Sequence, residues 1–188
     1  MKIAIMAGGM GSRLSNPNKP LIDICGKPVI GHVASTVSVF GRVYVVTTAR
    51  HAEVINWSRM HGYEVLITSG AGYPTDVLEA LHMIGAPILF MPSDMPFITR
   101  ELIRKFLAMS AYITTPMITL MHERDGEFNF TGISLVKKFV LTQGIIPWTS
   151  LVIPWTIELL NINTQGDLEL ARNLCSGYNK LFKPVRDP

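Results

Sequence analysis

The first apolar run, Lys2–Met6, is short, rich in Ile and followed by glycines. That is the pattern of a strand buried on both faces. Arg42–Thr48, Glu64–Thr68 and residues 87–91 read the same way. Between these runs the period lengthens. Val29, Ile30, Val33, Val37 and Phe40 follow Pro28 at helical spacing and stop at Gly41, which predicts a helix over 28–40. Further helices are expected over 51–61, closed by Gly62, and over 74–84, opened by Pro74 with Asp76 in its first turn. Another is expected over 99–109, capped by Thr99. The segment 69–73 is a Gly-rich turn, and 92–96 is a Pro-flanked one.

The second half is less regular. Strands are expected over 112–121 and 131–136 around a hairpin turn at 123–127. A short strand over 159–163 leads into a final helix over 164–174, with Asp167 placed for a capping box on Thr164. A polar, loose tail is expected beyond Lys180. Ile146-Pro147-Trp148-Thr149 returns seven residues later as Ile153-Pro154-Trp155-Thr156. The Pro-Trp pairs read as a buried extended connection using tryptophan for packing. The alternative is an apolar surface for a large flat ligand.

Strand and helix thus alternate through residue 109. This predicts an α/β chain, a single-domain three-layer α/β/α fold with a Rossmann-like, mainly parallel sheet. Residues 1–109 would form a regular βα half, 110–178 a less regular half and 179–188 a tail. Chemistry in such sheets lies beyond the carboxyl ends of the strands, which puts the loops after Met6, Thr68 and Met91 on one rim.

Composition narrows the classes. With 188 residues, 48% hydrophobic and 16% charged, the chain has the core of one globular domain and is not disordered. The richest apolar stretch, 144–160, is broken by prolines and hydroxyl residues, so no membrane span is expected, and no signal peptide is visible; a cytoplasmic protein is the default. A net charge of +3 without a basic cluster argues against nucleic acid as a partner. Cys25 and Cys175 form no CxxC and read as two reduced thiols.

The loop over 7–20 carries the first chemistry: Ala7-Gly8-Gly9-Met10-Gly11-Ser12-Arg13, then Lys19-Pro20, with a short helical stretch expected in its first half. Glycines behind a strand let backbone amides approach a phosphate. Arg13 offers a planar fork for phosphate oxygens and Lys19 a compact charge. The spacing is neither a P-loop nor a dinucleotide fingerprint. Asp94, behind the fourth strand, can meet a hard cation on the same rim.

These segments resemble the signature of the nucleotidyltransferase superfamily, of nucleotide-diphospho-sugar transferase type: a strand, A-G-G-x-G-[ST]-R, K-P, and later D-x-P-F. The resemblance implies that Ala7, Gly8, Gly9, Gly11 and Ser12 wrap a nucleoside triphosphate. It implies that Arg13 and Lys19 neutralise its phosphates and that Asp94 binds Mg²⁺. Asn161-Ile162-Asn163-Thr164 ahead of Asp167-Leu168 is similar to a segment near the end of the guanylyltransferase branches; in related sugar uridylyltransferases an Asn there completes the Mg²⁺ shell, and the resemblance implies that role for Asn163. Within the superfamily the chain is most similar to the archaeal adenosylcobinamide-phosphate guanylyltransferases. The likeness runs over nearly its whole length and is most telling at Ser69-Gly70-Ala71-Gly72-Tyr73. The molybdenum-cofactor branch shares the first loop but usually carries R-x-x-P-L where this chain reads Phe128-Asn129-Phe130-Thr131-Gly132.

The resemblance implies GTP and adenosylcobinamide phosphate as substrates, adenosylcobinamide-GDP and pyrophosphate as products, Mg²⁺ as cofactor, and cobalamin biosynthesis as the setting. Ser69, Gly70, Gly72 and Tyr73 would read the base, and Trp148 and Trp155 would receive the flat acceptor. A phosphate monoester is largely ionised at neutral pH and needs no general base. None of His32, His51, His61, His82 and His122 then has to act. The alternatives are molybdenum-cofactor guanylyl or cytidylyl transfer, sugar-phosphate nucleotidyl transfer, and a nucleotide-sensing module without turnover. The oligomeric state stays open, a homodimer included.

Overall fold

The structure, a computed structural model, describes residues 1–9 and 18–181, with side chains through Cys175. A seven-stranded sheet runs through it in the order β5-β4-β1-β6-β8-β7-β9. The strands are β1 (Lys2–Met6), β4 (Arg42–Thr48), β5 (Glu64–Thr68), β6 (Ile88–Pro92), β7 (Met117–Arg124), β8 (Glu127–Val136) and β9 (Trp148–Pro154). β1, β4, β5 and β6 are mutually parallel. β8 is antiparallel to both β6 and β7, and β9 is parallel to β7, so β8 alone opposes the other strands. A two-residue hairpin of β2 (Asp23–Ile24) and β3 (Lys27–Pro28) stands apart.

Alternation decides the layers. Ile3 and Ile5 of β1 face one side, where α1 (Val29–Val37), α2 (Ala52–Met60) and α4 (Arg100–Ala111) bring Ile30, Val33, Val54, Ile103 and Phe106. Ala4 faces the other side, covered by Val77, Ala80 and Leu81 of α3 (Tyr73–Ile84). Each helix starts and stops on local chemistry. Thr99 Oγ1 accepts the Leu102 amide at 3.2 Å to cap α4. Gly85 closes α3 at a φ of +67°. The fifth helix, α5 (Gln165–Leu181), belongs to neither layer. It packs on a third cluster of Ile24, Val29, Leu160, Ile162, Leu168 and Ala171.

Four expectations change. First, β9 is a strand where a connection was expected. Its flanking prolines are tolerated because it is an edge strand. Second, residues 159–163 form no strand: a 3-10 turn, Ile157–Leu159, comes first, and the Ile162 amide donates to the Asp94 carbonyl instead of a ladder. Third, α5 runs on to Leu181, past the expected end.

Fourth, Cys25 and Cys175 are disulfide-bonded, not reduced. The α5–hairpin contact brings their Cα atoms to 5.2 Å, inside the bonding range of about 4.4–6.8 Å. Among the described residues no helix is long and apolar enough to cross a membrane. The short helical stretch expected in the first loop involves residues outside those described, as does the tail after Leu181.

Candidate active site

Strand register aligns the site. Met6 pairs with Val46 and Pro92, and Thr48 with Thr68, so β1, β4, β5 and β6 end at one level. Beyond that rim lies a cleft of about 380 Å³ whose walls include Gly8 and Gly9, Gly70 and Gly72, Tyr73, Asp76, Ser93, Asp94 and Lys19.

Lys19 opens a 3-10 turn, Lys19–Leu21, anchored by buried Pro20. Its Nζ lies 2.5 Å from Asp94 Oδ2 and 2.7 Å from Asn163 Oδ1. The Lys19 and Asp94 side chains are only 15% and 17% exposed, so this contact is partly shielded from water. Asn163 is held firmly. Asp167 Oδ2 accepts the amides of Asn163 and Thr164 at 3.0 and 2.7 Å, and Thr164 Oγ1 accepts the Asp167 amide at 3.2 Å. This is the expected capping box. The Ile162 amide, donating to Asp94 O at 3.0 Å, ties the same segment to the β6 loop.

Asp94 and Asn163 therefore aim two hard oxygens at one point, which a cation already occupies in the form of the Lys19 ammonium. That donor pair suits Mg²⁺, which takes one or two protein ligands and leaves its remaining positions to phosphates and water. Among the described residues no group of three or more His, Cys, Asp or Glu is placed to hold a metal.

The 69–73 turn is shaped by a residue given only a weak role in the sequence. Asp76, 7% exposed in the first turn of α3, accepts the Gly70 amide at 3.0 Å. Gly70 sits at φ +70°, and a Cβ there would lie 2.6 Å from Thr48 Cγ2. Tyr73 lends its ring to the cleft wall and donates its hydroxyl to Gly132 O at 3.3 Å. Although 46% of Tyr73 is exposed, burial of its hydroxyl end pushes the phenol up to about 12, so it serves only as a neutral donor.

Other expected residues are placed differently. Ala7 continues β1: its amide donates to Val46 O at 2.7 Å and its carbonyl accepts the Thr47 hydroxyl at 3.1 Å. Neither group is turned to the cleft. Ser69 does not line the cleft. Its amide donates to Glu79 Oε2 at 2.7 Å, and the hydrogen bonds from Ser69 hold that carboxyl below its usual range. Gly11, Ser12 and Arg13 lie outside the described residues.

Trp148 and Trp155 do not form one surface. An odd offset along a strand puts side chains on opposite faces. Trp155 packs toward the α1/α4 face with the Arg124 guanidinium 4.3 Å from its ring centroid. Trp148 faces the α3 side, 5.8 Å from the Phe130 ring, and helps wall an apolar cavity of about 300 Å³ with Tyr73, Val77, Phe90, Ile145 and Ile146. Tyr73 walls both this cavity and the polar cleft. Pro92 and Ser93 also line the cleft; the sequence placed them in the Pro-flanked turn but gave them no binding role. Their place directly before Asp94 at a strand end was the available signal.

Known proteins share this architecture. The chain is 29% identical to the adenosylcobinamide-phosphate guanylyltransferase of Methanocaldococcus jannaschii, over 93% of this chain and 97% of that protein. It is 31% identical to the 3-deoxy-manno-octulosonate cytidylyltransferase of Acidovorax sp. over 71% of this chain, and it spans 54% of that enzyme. Among solved structures, molybdopterin-guanine dinucleotide biosynthesis protein A from Archaeoglobus fulgidus superposes with a TM-score of 0.72 at 20% identity, covering 94% of this chain and 100% of that one. A CMP:2-keto-3-deoxy-manno-octonic acid synthetase complexed with CTP superposes at 0.69 and 18% identity, covering 94% and 98%. Residues 3–138 match the MobA-like NTP transferase domain, and with the strand-end cleft they place the chain in that nucleotidyltransferase family.

Proposed function

We propose that the chain transfers GMP from GTP to adenosylcobinamide phosphate, releasing pyrophosphate. One observation carries the reading: the Lys19 ammonium joins Asp94 and Asn163 at the mouth of a glycine-walled cleft. The similarity to the M. jannaschii guanylyltransferase over nearly both full lengths supports the acceptor.

The triphosphate lies along Gly8 and Gly9, whose amides meet its oxygens. Asp94 and Asn163 hold Mg²⁺, which when bound neutralises charge on the phosphate oxygens. Lys19 turns from the two oxygens it now bridges toward the phosphates. Arg13, on the same loop, adds a second positive charge. Gly70 and Gly72 border the base, with Asp76 fixing the turn. The acceptor phosphate attacks the α-phosphorus; its oxygen forms the new P–O bond as the bond to the β-phosphate bridge breaks and pyrophosphate leaves. Positioning and charge neutralisation suffice for this displacement. The apolar body of the acceptor takes the face of Trp148 and Phe130, which adjoins the cleft through Tyr73.

A second reading, CMP transfer to an acidic sugar, has support from the Acidovorax similarity. The aromatic face beside Tyr73 favours an apolar acceptor over a sugar. Pyrophosphate release is measured with GTP or CTP and Mg²⁺, against adenosylcobinamide phosphate, molybdopterin, an acidic sugar and a hexose 1-phosphate. Release with GTP and the corrinoid, with the mass of adenosylcobinamide-GDP, is expected. Release only with CTP and the acidic sugar would overturn the assignment.

A further inference from the structure

The Lys19–Asp94–Asn163 group is assembled from three separate pieces of chain. Asp94 rests on β6 in the body of the sheet. Lys19 lies just ahead of the β2/β3 hairpin, and Asn163 just ahead of α5. The hairpin is fastened to the body: Val29 N–H donates to Ile22 O at 3.0 Å, and His32 Nε2 meets Ile24 O at 2.7 Å. Among the described residues, α5 contributes to neither apolar cluster of the two main layers. It docks on β2 and on the small cluster of Ile24, Val29, Leu160 and Ile162. Cys25, at the hairpin turn, is bonded to Cys175 on α5. Cys175 stands roughly 15 Å along the helix from Gln165, at ~1.5 Å per residue. The bond therefore locks to each other the two elements that carry Lys19 and Asn163.

We infer that the Cys25–Cys175 disulfide positions Asn163 against Lys19 and Asp94, so that metal–nucleotide binding depends on the thiol redox state of the chain. The inference rests on the reading of those three residues as the metal–triphosphate site. Chemistry permits reversal. Cys25 is exposed and Cys175 buried. A dithiol attacks at the exposed Cys25 end, forms a mixed disulfide there and releases the Cys175 thiolate. Its second thiol then displaces Cys25. Two electrons and two protons end on the two cysteines, and the dithiol leaves as a cyclic disulfide. With the bond open, α5 keeps its apolar cluster and its leading segment keeps the Ile162 N–H bond to the Asp94 carbonyl, but the covalent tie between α5 and the hairpin is gone and the segment from Leu160 to Asp167 gains freedom.

The test uses the full chain in oxidised form, after reduction with dithiothreitol, and as the double variant Cys25→Ser with Cys175→Ala, which keeps the cluster apolar. Mn²⁺ binding in the presence of GTP is followed by electron paramagnetic resonance. Amide hydrogen exchange is read over 160–168 and over β1. Reduction should weaken Mn²⁺ binding about fivefold or more, the lower range of ordinary coupling. It should speed exchange over 160–168 but not in β1, and reoxidation should restore both. The double variant should match the reduced protein and ignore dithiothreitol; if it does not fold, the reduced wild type carries the comparison. Asp94→Ala separates the two claims. If it leaves Mn²⁺ binding unchanged, the site reading falls. If it weakens binding while reduction alters neither affinity nor exchange over 160–168, the disulfide is only a clamp on the fold and this inference falls alone.

Discussion

Asn163 Oδ1 and Lys19 Nζ meet at 2.7 Å across 144 residues of sequence. Neither has an independent reason to be there. Lys19 is brought by a turn anchored on Pro20, and Asn163 by the cap of α5. Asp94 receives both segments, through its carboxylate and its carbonyl. The cation between two hard oxygens is the arrangement on which the proposed phosphate chemistry rests.

Substitution at this point should separate chemistry from folding. Asp94→Ala is expected to lower kcat by about 10²–10³, the usual cost of removing a group that balances transition-state charge. Asn163→Ala should cost less and should appear chiefly as a raised Mg²⁺ requirement, because Asp94 remains. Steady-state rates across a Mg²⁺ titration distinguish the two. Equal losses independent of Mg²⁺ would mean that Asn163 acts only through its packing.

Asp76 is expected to matter for nucleotide affinity without touching phosphate. Its carboxylate satisfies the Gly70 amide in a turn that a side chain at Gly70 would disrupt. Asp76→Ala leaves that amide without its partner, a loss of about 1–3 kcal/mol when the group stays buried. It should raise the KM for GTP more than it lowers kcat. Gly70→Ala, at φ +70°, should do the same more severely. Unfolding midpoints and KM values, measured together, check both.

The alternation of the first four strands and helices was legible because β-branched runs and glycine stops carry it locally. The capping box at Thr164 and Asp167 was legible for the same reason. What failed was non-local or depended on a changed period. The Pro-Trp repeat reads as an extended connection, with one flat apolar surface as the alternative, but a spacing of seven is odd and puts the two tryptophans on opposite faces of the extended chain that forms. Cys25-Gly26 turns the hairpin with φ of +55° and +78°, a geometry usually announced by Asn-Gly. The disulfide needed α5 to fold back on that hairpin, and its 150-residue separation hides any such signal.

Acid should destabilise the fold through two histidines. Burial, with the charge of Arg50, lowers the pKa of His51, whose Nδ1 lies between the hydroxyls of Thr47 and Thr48. Burial and Arg124 lower that of His122, whose Nδ1 is buried without a partner. Each group binds its proton more readily in the unfolded chain, where its pKa is about 6.5. Their contribution is therefore full above about pH 6.5 and is lost as the pH falls from that value through the lowered folded-state pKa. Urea midpoints at pH 7.5 and 5.5 should drop less in His51→Gln and in His122→Gln than in the wild type. An equal drop in all three would place the effect elsewhere.

Reduction should lower global stability as well as affect the site. The bond closes a loop of 150 residues, and the chain-entropy model assigns such a closure about 5 kcal/mol. Urea unfolding with and without dithiothreitol should differ by up to about that amount, with the reduced chain the less stable. An unchanged midpoint would mean that the apolar cluster around Ile162 already holds α5.

The two tryptophans give the sharpest separation of acceptor binding from packing. Trp148 is 50% exposed, packs edge-on to Phe130 and borders the cavity that shares Tyr73 with the cleft. Trp148→Ala should raise the KM for adenosylcobinamide phosphate about two- to tenfold, the scale of one aromatic contact at ~0.5–1.5 kcal/mol. The KM for GTP should stay fixed, because the nucleotide side of Tyr73 is untouched. Trp155→Ala should behave in the opposite way. Its ring packs on the α1/α4 cluster and under Arg124, so its loss should lower the unfolding midpoint and leave the acceptor KM unchanged. If both variants raise the acceptor KM alike, the corrinoid does not distinguish the two faces of β9, and the open α3-side face is not its seat.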